Sequence, residues 1–146
     1  MNINLLEQII EAIDREPQRF DMEFWSRKVK PTEDSKNTHS CYTTQCIAGW
    51  AVVIDRQLNP LTDFAFYLAT NPQHGDISSF ISNGLDIEET AQEAIGLDED
   101  DAERLFFVGS WPFEFREPYY NATSDQERAT IAIARIRHFI ETYGEE

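Results

Sequence analysis

Apolar side chains recur every three or four residues along most of this chain, and this helical period limits the possible folds more than any other feature. One set that would lie on a single helix face consists of Ile3, Leu6, Ile10 and Ile13. A second set follows Ser124 and Glu127, which have the spacing of an N-terminal capping box, and consists of Ala129, Ile133, Ile136, Ile140 and Tyr143. Glycine at positions 96 and 144 stands where such helices would end.

The same pattern continues through the middle of the chain. We predict a buried helix from about residue 44 to residue 58, because the run Cys46–Ile54 is apolar and contains small residues that allow close packing. A β-strand stays open as an alternative there, since Val52, Val53 and Ile54 favour strands. We predict a short helix that contains Phe20, Phe24 and Trp25, and another helix at residues 61–69. For residues 73–85 we predict a turn or a short helix.

The length of 146 residues is typical of one domain. We therefore predict a single compact all-α domain, residues 1–146, of about five to seven helices. The expected core is apolar and consists of Leu6, Ile10, Ile13, Ile47, Trp50, Ile54, Leu105, Phe106, Ile133, Ile136 and Ile140.

An aromatic segment containing two prolines covers residues 109–121. Trp111, Phe113 and Phe115 alternate, which predicts an extended segment with one apolar face laid on the core. We place Tyr119 and Tyr120 at the surface, as candidates for contacts with a partner, because tyrosine is favoured in protein interfaces.

Charge is distributed unevenly along the chain. Twenty-seven acidic and twelve basic residues give a net charge of −15, of which residues 1–60 carry −2 and residues 61–146 carry −13. This balance argues against direct binding of nucleic acid, which needs clustered Lys and Arg, and against docking on an anionic membrane. A basic protein partner is the expected counterpart.

Residues 86–103 contain nine acids and no base. Six of these acids are our candidate binding residues for the basic partner: Glu88, Glu89, Glu93, Glu99, Asp100 and Asp101. As one helix the segment would place a charge about every 3 Å, close to the phosphate repeat of a DNA strand, so mimicry of DNA is one interpretation. A solvated face is the other, because acids favour the first turns of helices.

Three residues that could carry chemistry, His39, Cys41 and Cys46, lie within eight positions of one another. A structural zinc site usually has four ligands, with its cysteines closer together in the chain than Cys41 and Cys46 are. We therefore expect the two cysteines to be core residues, and we predict neither a metal nor a cofactor. Cys46 near a helix N-terminus, with His39 as base, stays open as the nucleophile of a small enzyme. Nothing selects that base, and we favour an interaction protein without catalytic residues.

The stretch Cys41–Ala51, Cys-Tyr-Thr-Thr-Gln-Cys-Ile-Ala-Gly-Trp-Ala, resembles the signature of a loosely defined group of small bacterial and phage proteins with no assigned activity. Later elements of that group match Gly96-Leu97, the segment Ala102–Phe106 and Trp111-Pro112. The chain departs from the pattern at Tyr42, where the group has glycine. The resemblance implies a helical fold. Neither a signal-peptide pattern nor an apolar run of membrane-spanning length appears in the sequence, and we expect a cytoplasmic protein.

Overall fold

A computed structural model describes residues 1–23, 26–29, 42–58 and 87–145, and structural statements concern these residues. They form six α-helices: α1 (Ile3–Arg15), α2 (Ile47–Arg56), α3 (Ile87–Ile95), α4 (Glu99–Phe106), α5 (Phe113–Asn121) and α6 (Asp125–Thr142). The two strands, β1 (Ser26–Val29) and β2 (Tyr42–Gln45), have four residues each. The predicted all-α fold is therefore confirmed. The helix predicted at residues 61–69 and the turn or short helix predicted at residues 73–85 lie outside the described residues.

Helix α1 supplies one wall of the core. It begins after Asn2, whose Oδ1 accepts from the Leu5 amide at 3.0 Å. The side chains of its inner face are buried: Leu5, Leu6, Ile9, Ile10, Ala12 and Ile13. This face packs against α2 and α6. Pro17 then opens a single 3-10 turn, Pro17–Arg19.

Strands β1 and β2 are antiparallel, with Ser26 paired to Gln45 and Val29 to Tyr42. Phe20 is extended, buried and bridged to Gln45, so it is not part of the short helix predicted there, while Phe24 and Trp25 lie outside the described residues. The helix predicted from about residue 44 begins only at Ile47. The reason is Cys46, which caps α2 from an extended backbone conformation, so the helix cannot reach further back.

The aromatic segment is also different from the prediction. After α4 the chain makes a second 3-10 turn, Val108–Ser110, and then forms helix α5 instead of an extended lid. Trp111 is buried and its Nε1 donates to the Leu105 carbonyl at 3.0 Å. Phe113 is 67% exposed, which contradicts the predicted alternation. Helical rather than extended geometry decides which rings face inward, because neighbours on one face stand three or four residues apart.

Helix α6 runs the length of the bundle and contacts α1 and α5. Its N-cap is the predicted one, with the Glu127 amide donating to Ser124 Oγ at 3.1 Å. The guanidinium of Arg135 is buried on this helix, donates from Nη2 to the Arg104 carbonyl at 3.0 Å and lies over Phe139 at 5.5 Å. Sequence reasoning missed this buried cation, which joins α6 to α4.

The predicted core is largely confirmed. Ile54 and Ile140 are half-buried at its edge, and Tyr143 is 67% exposed because it adopts the left-handed conformation that ends α6. No helix among the described residues combines the length and apolar character needed to cross a membrane.

Candidate functional site: the acidic surface of α3 and α4

Helices α3 and α4 bury their apolar faces, and this orientation directs their carboxylates outward. Helix α3 buries Ile87, Thr90, Ala91 and Ile95, and helix α4 buries Ala102, Leu105 and Phe106. Between them, Gly96 ends α3 with a φ of 79°, a value that glycine adopts at little cost. Asp98 then caps α4, its Oδ1 accepting from the Asp101 amide at 2.8 Å.

Seven carboxylates remain outside the core, and we call this set the acidic surface: Glu88, Glu89, Glu93, Asp98, Glu99, Asp100 and Glu103. Glu88 is half-buried and the other six are exposed. The sequence therefore located this surface correctly in the chain. Gly96 divides it into two helices, so the charges do not form the straight row on which the DNA spacing argument depends.

Part of the acidic surface lines a groove of about 410 Å³ between α3 and α4. Each helix contributes a pair of side chains one turn apart: Glu88 and Gln92 from α3, Glu99 and Glu103 from α4. Phe107 adds an aromatic wall. Three of the five described side chains that line the groove are carboxylates, and like charges one turn apart cost a helix about 0.2–0.5 kcal/mol.

Asp101 differs from its neighbours, although we predicted it as a binding residue. It is half-buried and its Oδ1 accepts from Nη2 of Arg104. Its carboxylate also lies against Gly144, where a Cβ would come within 3.0 Å of Oδ1. Asp101 is therefore paired within α4 and lies close to Gly144, and we do not include it in the acidic surface.

Tyr119 corrects another prediction, because only 7% of it is exposed. Its hydroxyl accepts from the Met22 amide at 3.1 Å. Its ring meets Trp111 and Phe20 edge to face, with centroids 5.3 and 6.4 Å apart. Burial raises the pKa of the phenol. Tyr120 does lie at the surface, at 60% exposure, and Phe113 is an exposed aromatic that the sequence reasoning assigned to the core lid.

Cys46 is 2% exposed, and its Sγ accepts from the Gly49 amide at 3.4 Å. Burial raises the pKa of its thiol from the ordinary 9.0 to about 12, outweighing the amide hydrogen bonds that lower it. The thiol is therefore protonated at neutral pH, which is unfavourable for a nucleophile. His39 and Cys41 lie outside the described residues. Within the described ranges, no group of three or more His, Cys, Asp or Glu side chains is arranged to hold a metal ion.

A second hollow, of about 520 Å³, lies where α4, α5 and α6 meet. His138 and Glu114 line it, with Nε2 and Oε1 4.0 Å apart. The His138 ring also contacts Phe115, with centroids 5.2 Å apart. Arg104 and Glu145 bring one further charge of each sign. Because its charges are mixed, this hollow selects no class of ligand.

No protein-family model matches the chain, and neither a curated protein nor a solved structure shows significant similarity to it. The resemblance carried by the segment Cys41–Ala51 therefore stays a prediction.

Proposed function

We propose that this chain is a non-enzymatic interaction protein that binds a basic protein partner through the acidic surface of α3 and α4. The observation that carries the proposal is the groove between α3 and α4, which Glu99 and Glu103 line from one helix and in which both are exposed. A Lys or Arg side chain suits this arrangement, because its carbon stem packs on an aromatic ring while its charge meets carboxylates.

The net charge of the second part of the chain also favours a basic protein partner. Residues 61–146 carry a net charge of −13, so their field attracts a basic protein from beyond contact distance and raises the association rate. We favour a basic segment seated in the groove over mimicry of a DNA strand, because Gly96 breaks the row of charges.

The setting we propose is the cytoplasm, where a reducing environment suits a buried thiol such as that of Cys46. A small enzyme that uses Cys46 with His39 as base was the alternative prediction. The burial and high pKa of the Cys46 thiol disfavour it, since catalysis by cysteine needs an accessible thiolate.

Two charge reversals test the proposal without removing a helix cap. Glu93 and Glu103 are exposed members of the acidic surface in the last turns of α3 and α4, where a cation interacts more favourably with the helix dipole than an anion. The variant E93K/E103K should therefore fold at least as stably as the wild type. The matched control is E7K/E11K, which makes the same change in net charge on exposed positions of α1.

The measurement is affinity capture from cell lysate at low salt, with the retained proteins identified by mass spectrometry. We expect the wild type and E7K/E11K to retain the same basic proteins and E93K/E103K to lose them. Identical retention by all three baits would contradict the proposal, because the acidic surface would then not be needed for the binding. Equal loss by the two variants would also contradict it, because net charge alone would then account for the binding. So would the absence of any basic protein retained by the wild type.

A further inference from the structure

Helix α5 has two opposite faces, fixed by what its inner side chains contact. Successive residues of a helix are 100° apart, so Phe115 and Tyr119 share one face. Both are directed inward, Phe115 against the ring of His138 and Tyr119 against Trp111 and the Met22 amide. The opposite face then consists of Phe113, Glu117 and Tyr120, which we call the outer α5 face.

The outer α5 face exposes two large aromatic side chains. Among the residues whose burial the structure describes, the exposed large hydrophobic residues are Met1, Phe113, Tyr120 and Tyr143. Two of them, at 67% and 60% exposure, stand two helical turns apart on this one face. Exposed rings are common when they stand singly, and aromatic residues are enriched at protein interfaces.

The charge between the two rings is negative. Glu117 is exposed and falls one turn from each ring, four residues after Phe113 and three before Tyr120. Arg116, the adjacent base in the chain, is half-buried, and its Nη1 donates at 3.4 Å to the carbonyl of Gly109, which lies beside the Tyr120 hydroxyl. The outer α5 face therefore presents a carboxylate between two aromatic rings.

We infer that the outer α5 face binds an arginine or lysine side chain of the basic partner, with the cation against the rings and the carboxylate of Glu117. Aromatic faces attract cations, and a carboxylate adds a charge-assisted hydrogen bond. A second copy of the chain is a poor occupant, because two molecules of charge −15 repel each other. This inference rests on the proposed function for the basic character of the partner, and adds a second contact surface.

Nuclear magnetic resonance titration of the full chain tests this inference with a defined probe. The probe is a capped peptide of alternating arginine and alanine, and the control peptide has glutamine in place of arginine. We expect the arginine peptide to shift the amide signals of Phe113, Glu117 and Tyr120 in a saturable way and the glutamine peptide to leave them unchanged. F113A and Y120A should each weaken this saturation about twofold to fivefold.

The matched control is Y143A, which removes an equally exposed ring from the end of α6 and should leave the α5 titration unchanged. Shifts confined to α3 and α4 would overturn the inference while supporting the proposed function. Shifts confined to α5 would uphold the inference and count against the proposed function. An arginine peptide that shifts neither surface overturns both, and equal shifts with both peptides overturn the role of the cation.

Discussion

Because the thiol of Cys46 is buried, we expect the fold to become less stable at alkaline pH. In the folded chain its pKa is about 12, whereas the unfolded chain has the ordinary value of 9.0. The unfolded state therefore loses this proton first. The contribution of the neutral buried thiol is fully present below pH 9 and is lost as the pH rises through the folded value.

The size of the effect follows from the interval between the two pKa values. A pH of about 10.5 is about 1.5 units above the pKa of the unfolded thiol and still below the pKa of the folded thiol. Over this interval, ionisation of the thiol stabilises the unfolded state and not the folded state. Each unit corresponds to about 1.4 kcal/mol, so the free energy of unfolding falls by about 2 kcal/mol on account of Cys46. Desolvation of the thiolate is the physical cause.

The assay is urea unfolding of the wild type and C46S at about pH 8 and pH 10.5. Serine retains a side-chain acceptor for the Gly49 amide and does not titrate in this range. Tyr119 and other groups that lose protons at high pH are present in both proteins, so their contributions cancel. We expect the wild type to lose about 2 kcal/mol more than C46S between the two conditions.

Equal losses in the two proteins would refute this reasoning. A second refutation would come from thiol labelling in a C41S background, where only Cys46 remains. Labelling at pH 8 should be limited by opening of the fold, because the sulfur is 2% exposed. Rapid labelling of the folded protein would show an accessible thiolate and restore Cys46 as a candidate nucleophile.

Three further substitutions test the packing that surrounds these surfaces. W50A should lower the free energy of unfolding by about 3–5 kcal/mol, measured by urea denaturation, because Trp50 is 5% exposed. G144A should cost about 1–2 kcal/mol in the same assay, since residue 144 has a φ of 76° and a Cβ there would press on Asp101. Y119F should cost about 1–3 kcal/mol by leaving the buried Met22 amide without its acceptor, and an unchanged midpoint of thermal unfolding would contradict it.

Helices α1, α2 and α6 were predictable from the sequence because local chemistry determines them, whereas the residues of α5 were predicted to be extended. The Ser124 cap with Glu127 and the left-handed glycines at 96 and 144 stand where the sequence places them. Such signals act within one helical turn. The hairpin was missed because its pairing joins Ser26 to Gln45, nineteen positions apart, and only long-range contact decides between strand and helix there.

The candidate site was predictable in composition but not in arrangement. Nine acids without a base are visible in residues 86–103, yet the sequence does not show that Glu88 and Glu99 would meet across a groove. Asp101 and Tyr119 were assigned to the surface because their partners, Gly144 and Met22, are distant in the chain. Phe113 was assigned to the core because an alternating pattern was read where the chain is helical.

The central claim is that the acidic surface of α3 and α4, and not net charge alone, binds the basic partner. The most direct test is the association rate of the captured partner with wild type, E93K/E103K and E7K/E11K as salt rises from about 0.1 M to 1 M, which shortens the Debye length from about 10 Å to 3 Å. We predict fast, strongly salt-dependent association for the wild type and E7K/E11K, and slow, weakly salt-dependent association for E93K/E103K. Equal rates and equal salt dependence for the two reversed variants would contradict the account.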